Sequence, residues 1–143
     1  MAMDGLTDDD IRRLLLNTTR IAVVGASANP ARPSYGVAGF LAERGFDVTP
    51  VNPGLAGQRL HGAEVVAALD AAAPLEMVDI FRRSEEAGAV VDEAIRLGAR
   101  AVWMQLGVVD EAAAARARDA GLVAVMDRCP VIEWRRLGLA SAA

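Results

Sequence analysis

The groups best suited to hold an anion are gathered in one stretch, Gly25 to Gly36, which reads GASANPARPSYG. It follows the apolar run Ile21-Ala22-Val23-Val24 directly. Gly25 lets the backbone turn sharply as it leaves a strand and leaves amides free to face a ligand. Ser27 and Ser34 offer hydroxyls. Ser34 is placed to cap a following helix, whose first amides and dipole favour a phosphate. Arg32 adds a guanidinium that can meet a phosphate with two parallel bonds. The plainer alternative gives Gly25 and Gly36 only turn and packing duties. Phosphate binding is the stronger reading, because anion affinity is a general property of helix starts in such loops.

Which nucleotide the loop suits is decided mostly by what is missing. The dinucleotide fingerprint needs three glycines at fixed offsets, but Gly25 is followed by Ser27 and position 30 is Pro30. That fingerprint also wants an acid at the end of the second strand to hold the ribose hydroxyls. Here that end reads Thr49-Pro50-Val51-Asn52-Pro53. The triphosphate loop is absent, and the chain has no Lys to serve one.

Three further loops fall beyond apolar runs. Val51-Asn52-Pro53-Gly54 gives an apolar edge and a stiff turn. Pro53 can wall one side of an adenine, although a plain Asn-Pro turn explains the same residues at least as well. In Ile80-Phe81-Arg82-Arg83-Ser84-Glu85, Phe81 can stack on a base, and Arg82 and Arg83 precede a helix start capped by Ser84. Paired arginines suit a phosphate-rich ligand, and a solvated Arg82–Glu86 pair fits equally. Met104-Gln105-Leu106-Gly107-Val108 is mostly apolar. Gln105 and Gly107 can pass close to an uncharged chain, or the apolar residues simply bury. Among the remaining polar residues, His61 reads as a surface residue and Asp79 as facing the end of the sheet. Cys129 reads as structural, since no His lies near it in sequence to activate it. Trp103 and Trp134 read as core or interface anchors. No carboxylate pair, Ser–His arrangement or metal cluster emerges, so no catalytic or metal-binding residue is assigned.

These loops need elements to position them. Thr7-Asp8-Asp9-Asp10 predicts a helix start, with Thr as cap and acids on the positive end of the dipole. That helix runs to about Leu16. Strands are predicted at Ile21–Val24, Asp47–Val51, Met77–Phe81, Ala101–Met104 and Val123–Met126. Helices are predicted at Ser34–Arg44, Ala63–Ala72, Glu85–Leu97, Glu111–Ala120 and Ile132–Leu137, with the stripe Ala87, Val90, Val91, Ala94, Ile95 marking the clearest one. The final Ala-Ser-Ala-Ala is expected to fray. Continuously apolar strands alternating with helices imply a Rossmann-like, doubly wound parallel five-stranded sheet in one α/β domain, residues 1–143 with its core at about 19–137. Ligands of such folds lie at the carboxyl ends of the strands. At 143 residues, 53% of them hydrophobic but only 4% aromatic, the chain must build its core from Ala, Val, Leu and Ile. A net charge of −4 with scattered arginines argues against a nucleic-acid surface. The lone Cys129 cannot form an internal disulfide, which suits a reducing cytoplasm. The acidic N-terminus has no apolar core of the kind a signal peptide needs, and no apolar run is long enough to cross a bilayer. One His and one Cys do not make a zinc site.

Taken in order, Val23-Val24-Gly25-Ala26-Ser27, Arg32-Pro33-Ser34-Tyr35-Gly36, Pro50-Val51-Asn52-Pro53, Phe81-Arg82-Arg83-Ser84, Val102-Trp103-Met104-Gln105-Leu106-Gly107 and Met126-Asp127-Arg128-Cys129-Pro130 resemble the small stand-alone CoA-binding proteins. These in turn are similar to the CoA-binding domain of the succinyl-CoA synthetase alpha subunit. The resemblance spans roughly Thr19 to Leu137 and implies CoA, or an acyl-CoA, lying across the strand ends. Gly25, Ala26, Ser27, Arg32, Ser34 and Tyr35 match the family's loop around the pyrophosphate. Val51, Asn52 and Pro53 match its second-strand contact, Phe81 and Arg82 its third, and Gln105 and Leu106 its fourth. Family sequences often carry a basic residue after the Asn-Pro turn, where this chain has Gly54. Arg82, Arg59 and Arg32 are the cations left to meet the 3′-phosphate. The synthetase's phosphorylated His and ATP-handling parts lie outside its CoA-binding domain, and His61 does not stand in a matching position. The resemblance therefore implies a CoA or acyl-CoA binder without machinery of its own, serving as carrier, sensor or regulatory partner of another protein. The alternatives are an acyl-CoA-using enzyme or subunit that needs a partner chain, and, more weakly, an NAD- or NADP-dependent oxidoreductase.

Overall fold

Short apolar runs and amphipathic segments alternate to give a five-stranded parallel sheet clothed by helices in the computed structural model, which describes residues 3–139. In chain order the elements are α1 (Asp8–Asn17), β1 (Arg20–Val24), α2 (Pro33–Glu43), β2 (Asp47–Val51), a small hairpin of β3 (Arg59–Leu60) and β4 (Ala63–Glu64), then β5 (Met77–Ile80), α3 (Ser84–Arg96), β6 (Ala101–Met104), α4 (Glu111–Asp119), β7 (Val123–Val125) and α5 (Pro130–Arg136). The sheet order is β2-β1-β5-β6-β7, with every neighbouring pair parallel. The winding reverses between β1 and β5, and the crevice for a ligand opens at their carboxyl ends.

The continuous apolar strands are explained by burial on both faces. Ile21, Val23, Met77 and Trp103 face Ile11 and Leu15 of α1, Val37 and Leu41 of α2, and Trp134 of α5. The opposite face sets Val24, Val78, Ile80 and Met104 against Ala87, Val91 and Ala94 of α3 and Ala113 and Ala117 of α4. Each large aliphatic side chain buried this way contributes about 1.5–3 kcal/mol. Trp103 is fully buried, and its indole N–H is satisfied by the Arg128 carbonyl at 2.8 Å. Trp134, also buried, meets the edge of Phe46. Both serve as the core anchors expected of them.

One expected helix is absent. Residues 63–72 form β4 and, after it, a single 3-10 turn at Leu69–Ala72. His61 and Gly62 take positive φ values of 51° and 82°, which closes the β3–β4 hairpin. The chain then runs beside β2: the Val66 amide donates to the Pro50 carbonyl, and the Val66 carbonyl accepts from the Asn52 amide, both at 3.0 Å. The apolar spacing of Val65 and Val66 looked helical, but pairing with the sheet edge claims them. Smaller shifts affect the ends. β5 stops at Ile80 and β7 at Val125, while α5 begins earlier than expected, with Pro130 at its first position. The residues expected to fray, 140–143, lie outside the described ones. Among the described residues no helix is long and apolar enough to cross a membrane.

Candidate functional site at the carboxyl edge of the sheet

Four loops, one (25–36), two (51–54), three (80–85) and four (104–108), converge at this edge through backbone and side-chain contacts. Gly25 adopts φ 88°, and a Cβ there would stand 2.2 Å from the Phe81 carbonyl oxygen. Only glycine fits. Its amide is not free for a ligand, however: Gly25 and Ala26 both donate to the Val51 carbonyl, at 3.1 and 3.3 Å. Asn52 binds loop one to loop two, its Nδ2 donating to the Ala26 carbonyl at 2.7 Å while its Oδ1 accepts from the Gly54 amide at 2.8 Å. Further along loop one, the Asn29 amide donates to Ser27 Oγ, the Ala31 amide to Asn29 Oδ1, and the Arg32 amide to the Asn29 carbonyl. Tyr35 donates back to the Arg32 carbonyl. Among the described residues this leaves the amides of Ser27, Ala28 and Ser34 without a partner in the chain.

The start of α2 differs from the expected one. Arg32 occupies the cap, no side chain caps the helix, Pro33 is its first residue, and the first turn holds no acid. Ser34 is the second helical residue, 3% exposed, so its hydroxyl does not cap. Arg32 is exposed, and makes no ion pair among the described residues. Tyr35 meets His61 edge-on at 4.6 Å between ring centres. His61 is not a surface residue. It is half-buried over α2, where a Cβ on Gly39 would come within 2.9 Å of its ring, and its Nε2 is enclosed without a partner.

Val24, Val51, Pro53, Ala67, Arg82 and Val90 line a groove of about 300 Å³ on the α3 side of the edge. Arg82 is half-buried there, with no ion pair among the described residues. The surface pair anticipated for Arg82 belongs to Arg83, which reaches Glu86 at 3.1 Å and Glu85 at 3.7 Å. These carboxylates, Glu86 first, raise the Arg83 guanidinium pKa and so hold its charge. Ser84 likewise is no cap. Its hydroxyl donates to the Gly107 carbonyl at 3.2 Å and accepts from the Val109 amide at 2.9 Å, joining loop three to loop four. Phe81 packs half-buried against the α1/α2/α5 side of the core, so only part of its ring is open to a base. Leu106 is 55% exposed, a large apolar group standing in solvent at the ligand edge. Gln105 is buried beside it, and its Oε1 has no donor. A larger groove, about 360 Å³, opens at the other end of the sheet between α1, Glu76 and Arg100. It lies at the amino ends of the strands, where this topology places no ligand.

Asp79 lies within its strand as expected, but its side chain does not open onto the sheet end: it is fully enclosed, and burial pushes its carboxyl well above the usual range. Cys129 is buried at the α5 cap, in keeping with a structural role. Sequence reading overlooked a buried ion pair behind loop four. Asp4 accepts two bonds from Arg128, both at 2.9 Å, and others from the Leu6 and Met126 amides. The partners are 124 residues apart, and no local pattern marks them. Among the described residues no group of three or more His, Cys, Asp or Glu is placed to hold a metal.

A doubly wound parallel sheet of this size, with loops converging at the switch point, is a Rossmann-like α/β domain. Residues 19–135 match the family described as CoA binding domain, and the chain belongs to that family. It is similar to the uncharacterized protein YneT of Bacillus subtilis (strain 168), 34% identical over 121 residues, covering 84% of this chain and 88% of that one. Among solved structures it is similar to a hypothetical protein from Pyrococcus horikoshii OT3, with 37% identity, TM-score 0.89 and 96% of each chain covered. The fold also recurs in a dinucleotide-forming acetyl-coenzyme A synthetase of Ca. Korarchaeum cryptofilum, at 23% identity and TM-score 0.65. The match covers 81% of this chain and 27% of the synthetase.

Proposed function

We propose that the chain binds CoA or an acyl-CoA along the carboxyl edge of the sheet and performs no chemistry of its own, serving as carrier, sensor or regulatory partner. The observation that carries this reading is the open start of α2: the Ser27, Ala28 and Ser34 amides, without partners among the described residues, beside an Arg32 that makes no ion pair among them, suit a diphosphate. Tyr35, at the same helix start, borders this ligand. The groove of about 300 Å³ has room for a base or a length of the arm but not for the whole cofactor, so the rest of CoA must lie along the open edge. Val51, Asn52 and Pro53 would form its wall, with Phe81 behind, and Arg82 is the cation best placed for the 3′-phosphate. Gln105 and the exposed Leu106 suit the neutral, partly apolar arm. Strand β2 ends without an acid, which leaves the ribose of a nicotinamide dinucleotide without its usual partner.

Isothermal titration with CoA, acetyl-CoA, NAD and NADP tests this reading. Binding of the first two without the last two is expected. Arg32→Ala should weaken CoA by about 1–3 kcal/mol, the loss of a charged hydrogen bond. Binding of NAD or NADP in place of CoA would overturn the reading, and thioester turnover by the chain alone would replace it with an enzyme.

A further inference from the structure

Among the described residues three enclosed side-chain oxygens lack any donor: both carboxyl oxygens of Asp79 and Oε1 of Gln105. They lie on one face of the sheet. Asp79 stands in register between Val23 and Trp103. Its neighbours in alternation, Met77 and Phe81, both pack on the side covered by α1, α2 and α5. On β6, Ala101 and Trp103 face the same side, and Gln105 is next in that alternation. The Gln105 amide donates to the Ile80 carbonyl at 3.3 Å, so the ladder continues one step beyond the strand. Asp79 and Gln105 are therefore diagonal neighbours on adjacent strands. With strands about 4.8 Å apart and a rise of about 3.3 Å per residue, such backbones lie about 8 Å apart, a gap these two side chains can span directly or through one enclosed water.

A polar group enclosed without a partner costs about 1–3 kcal/mol, and a charged one more. A bare carboxylate is thus the least favourable occupant of this position, and burial alone drives Asp79 towards its protonated form. An uncharged carboxyl carries an O–H that can donate to Gln105 Oε1, and sharing it satisfies two of the three oxygens while leaving the Gln105 N–H groups for another acceptor. Gln105 Nε2 is not among the enclosed orphans, and its residue sits where loops three and four meet the ligand edge.

We propose that uncharged Asp79 is a positioning residue of the ligand edge: its O–H donates to the Gln105 side-chain carbonyl and so directs the Gln105 N–H groups at a carbonyl acceptor on the neutral arm of the bound ligand. This rests on the CoA reading above. Asp79→Asn keeps shape and donor, and CoA affinity is expected to stay within about threefold of wild type. Asp79→Val removes one buried oxygen left without a donor but also takes the donor from Gln105 Oε1, so its melting temperature should change little while CoA affinity falls about tenfold, the loss of one directed hydrogen bond. A purely structural role would move stability and affinity in the same direction. Gln105→Met should lose the same tenfold, and the double variant Asp79→Val/Gln105→Met no more than either alone. Infrared difference spectra of ligand-free wild type against Asp79→Asn should show the C=O stretch of a protonated carboxylic acid at neutral pH. A carboxylate band in its place, or undiminished CoA binding by Asp79→Val or Gln105→Met, overturns the proposal. If the wild-type chain binds no CoA, the ligand reading and the positioning role fall together, while the infrared band still reports the Asp79 proton separately.

Discussion

The first turns of α1 and α2 are built from opposite materials. At α1, Thr7 Oγ1 accepts from the Asp10 amide at 3.2 Å and the Asp10 carboxylate accepts from the Thr7 amide at 2.9 Å, a closed capping box. Asp8, Asp9 and Asp10 place negative charge on the turn, and Asp8 holds Arg136 through two bonds. Just before it, the buried Asp4 takes Arg128. At α2 a basic residue sits at the cap, no side chain reaches the first amides and no acid lies in the first turn. The positive end of a helix dipole attracts an anion wherever it occurs. One helix satisfies it from within the chain and gains stability; the other leaves it open. The arginines divide the same way: Arg128 and Arg136 are neutralised by carboxylates, whereas Arg32 and Arg82 make no ion pair among the described residues.

If that division holds, breaking the closed region should harm the fold and spare the ligand. Asp4→Ala takes from the enclosed Arg128 the carboxylate it meets with two bonds, leaving it Glu133 at 3.7 Å and the Leu6 carbonyl at 3.0 Å, and is expected to lose about 1.5–3 kcal/mol in urea denaturation, while the folded fraction binds CoA as wild type does. Burial works to raise the Asp4 carboxyl pKa, but the bonds from Arg128 and the Leu6 and Met126 amides, with the Arg128 charge, bring it below the ordinary range. A depressed carboxyl stabilises the fold above its unfolded value and loses that contribution as pH falls through the folded one. Wild type should therefore lose stability in acid more steeply than Asp4→Ala. The converse experiment closes α2. Arg32→Asp installs a cap that can accept from the first amides, and stability should rise by about 0.5–1 kcal/mol. CoA affinity should fall about 100-fold, roughly 2.7 kcal/mol, because a charged contact is replaced by a carboxylate facing a diphosphate. A more stable Arg32→Asp that still bound CoA at full strength would show that this helix start is not the anion site.

The parts of this division visible in the sequence were the local ones. Thr7 with Asp10 three residues later announces a capping box, and the all-apolar run at 101–104, with the run at 77–80 that is apolar but for Asp79, announces strands buried on both faces. Loop one was located by the same logic, since a Gly after a strand and before a helix has few other uses. The roles inside the loop were harder to see. Whether Ser34 or Arg32 takes the cap depends on where Pro33 falls relative to the first turn, and helix ends shift by a residue without changing the pattern. Gly25 was expected to expose its amide, but the Val51 carbonyl from the neighbouring strand consumes it. The helix expected over 63–72 failed for the same reason: competition from β2, distant in sequence, decides Val66. Asp79, within its strand, reads as facing the sheet end because an acid fully enclosed there contradicts transfer energetics. Such contradictions concentrate where function overrides stability.

The smallest expected effect makes the finest test. Thr7→Ala deletes one half of the α1 box and keeps the other, since the residue 7 amide still reaches Asp10. A lost cap costs about 1 kcal/mol, so the melting temperature of a chain this size should fall by about 3 °C. The size of that fall depends on pH in a determined direction. The Thr7 amide, and after it the Thr7 hydroxyl, hold the Asp10 carboxyl below its ordinary range, with Arg13 assisting. A carboxyl lowered in the fold contributes above its unfolded value and stops contributing once it is protonated in both states. The deficit of Thr7→Ala should accordingly be full at neutral pH and shrink below the carboxylate range, where what remains is the single bond from the Asp10 amide to Thr7 Oγ1. CoA titration of the same variant at neutral pH should match wild type. A shift in CoA affinity would mean that the closed start of α1 and the open start of α2 are energetically coupled, and the two ends could no longer be treated as separate solutions to the same unsatisfied dipole.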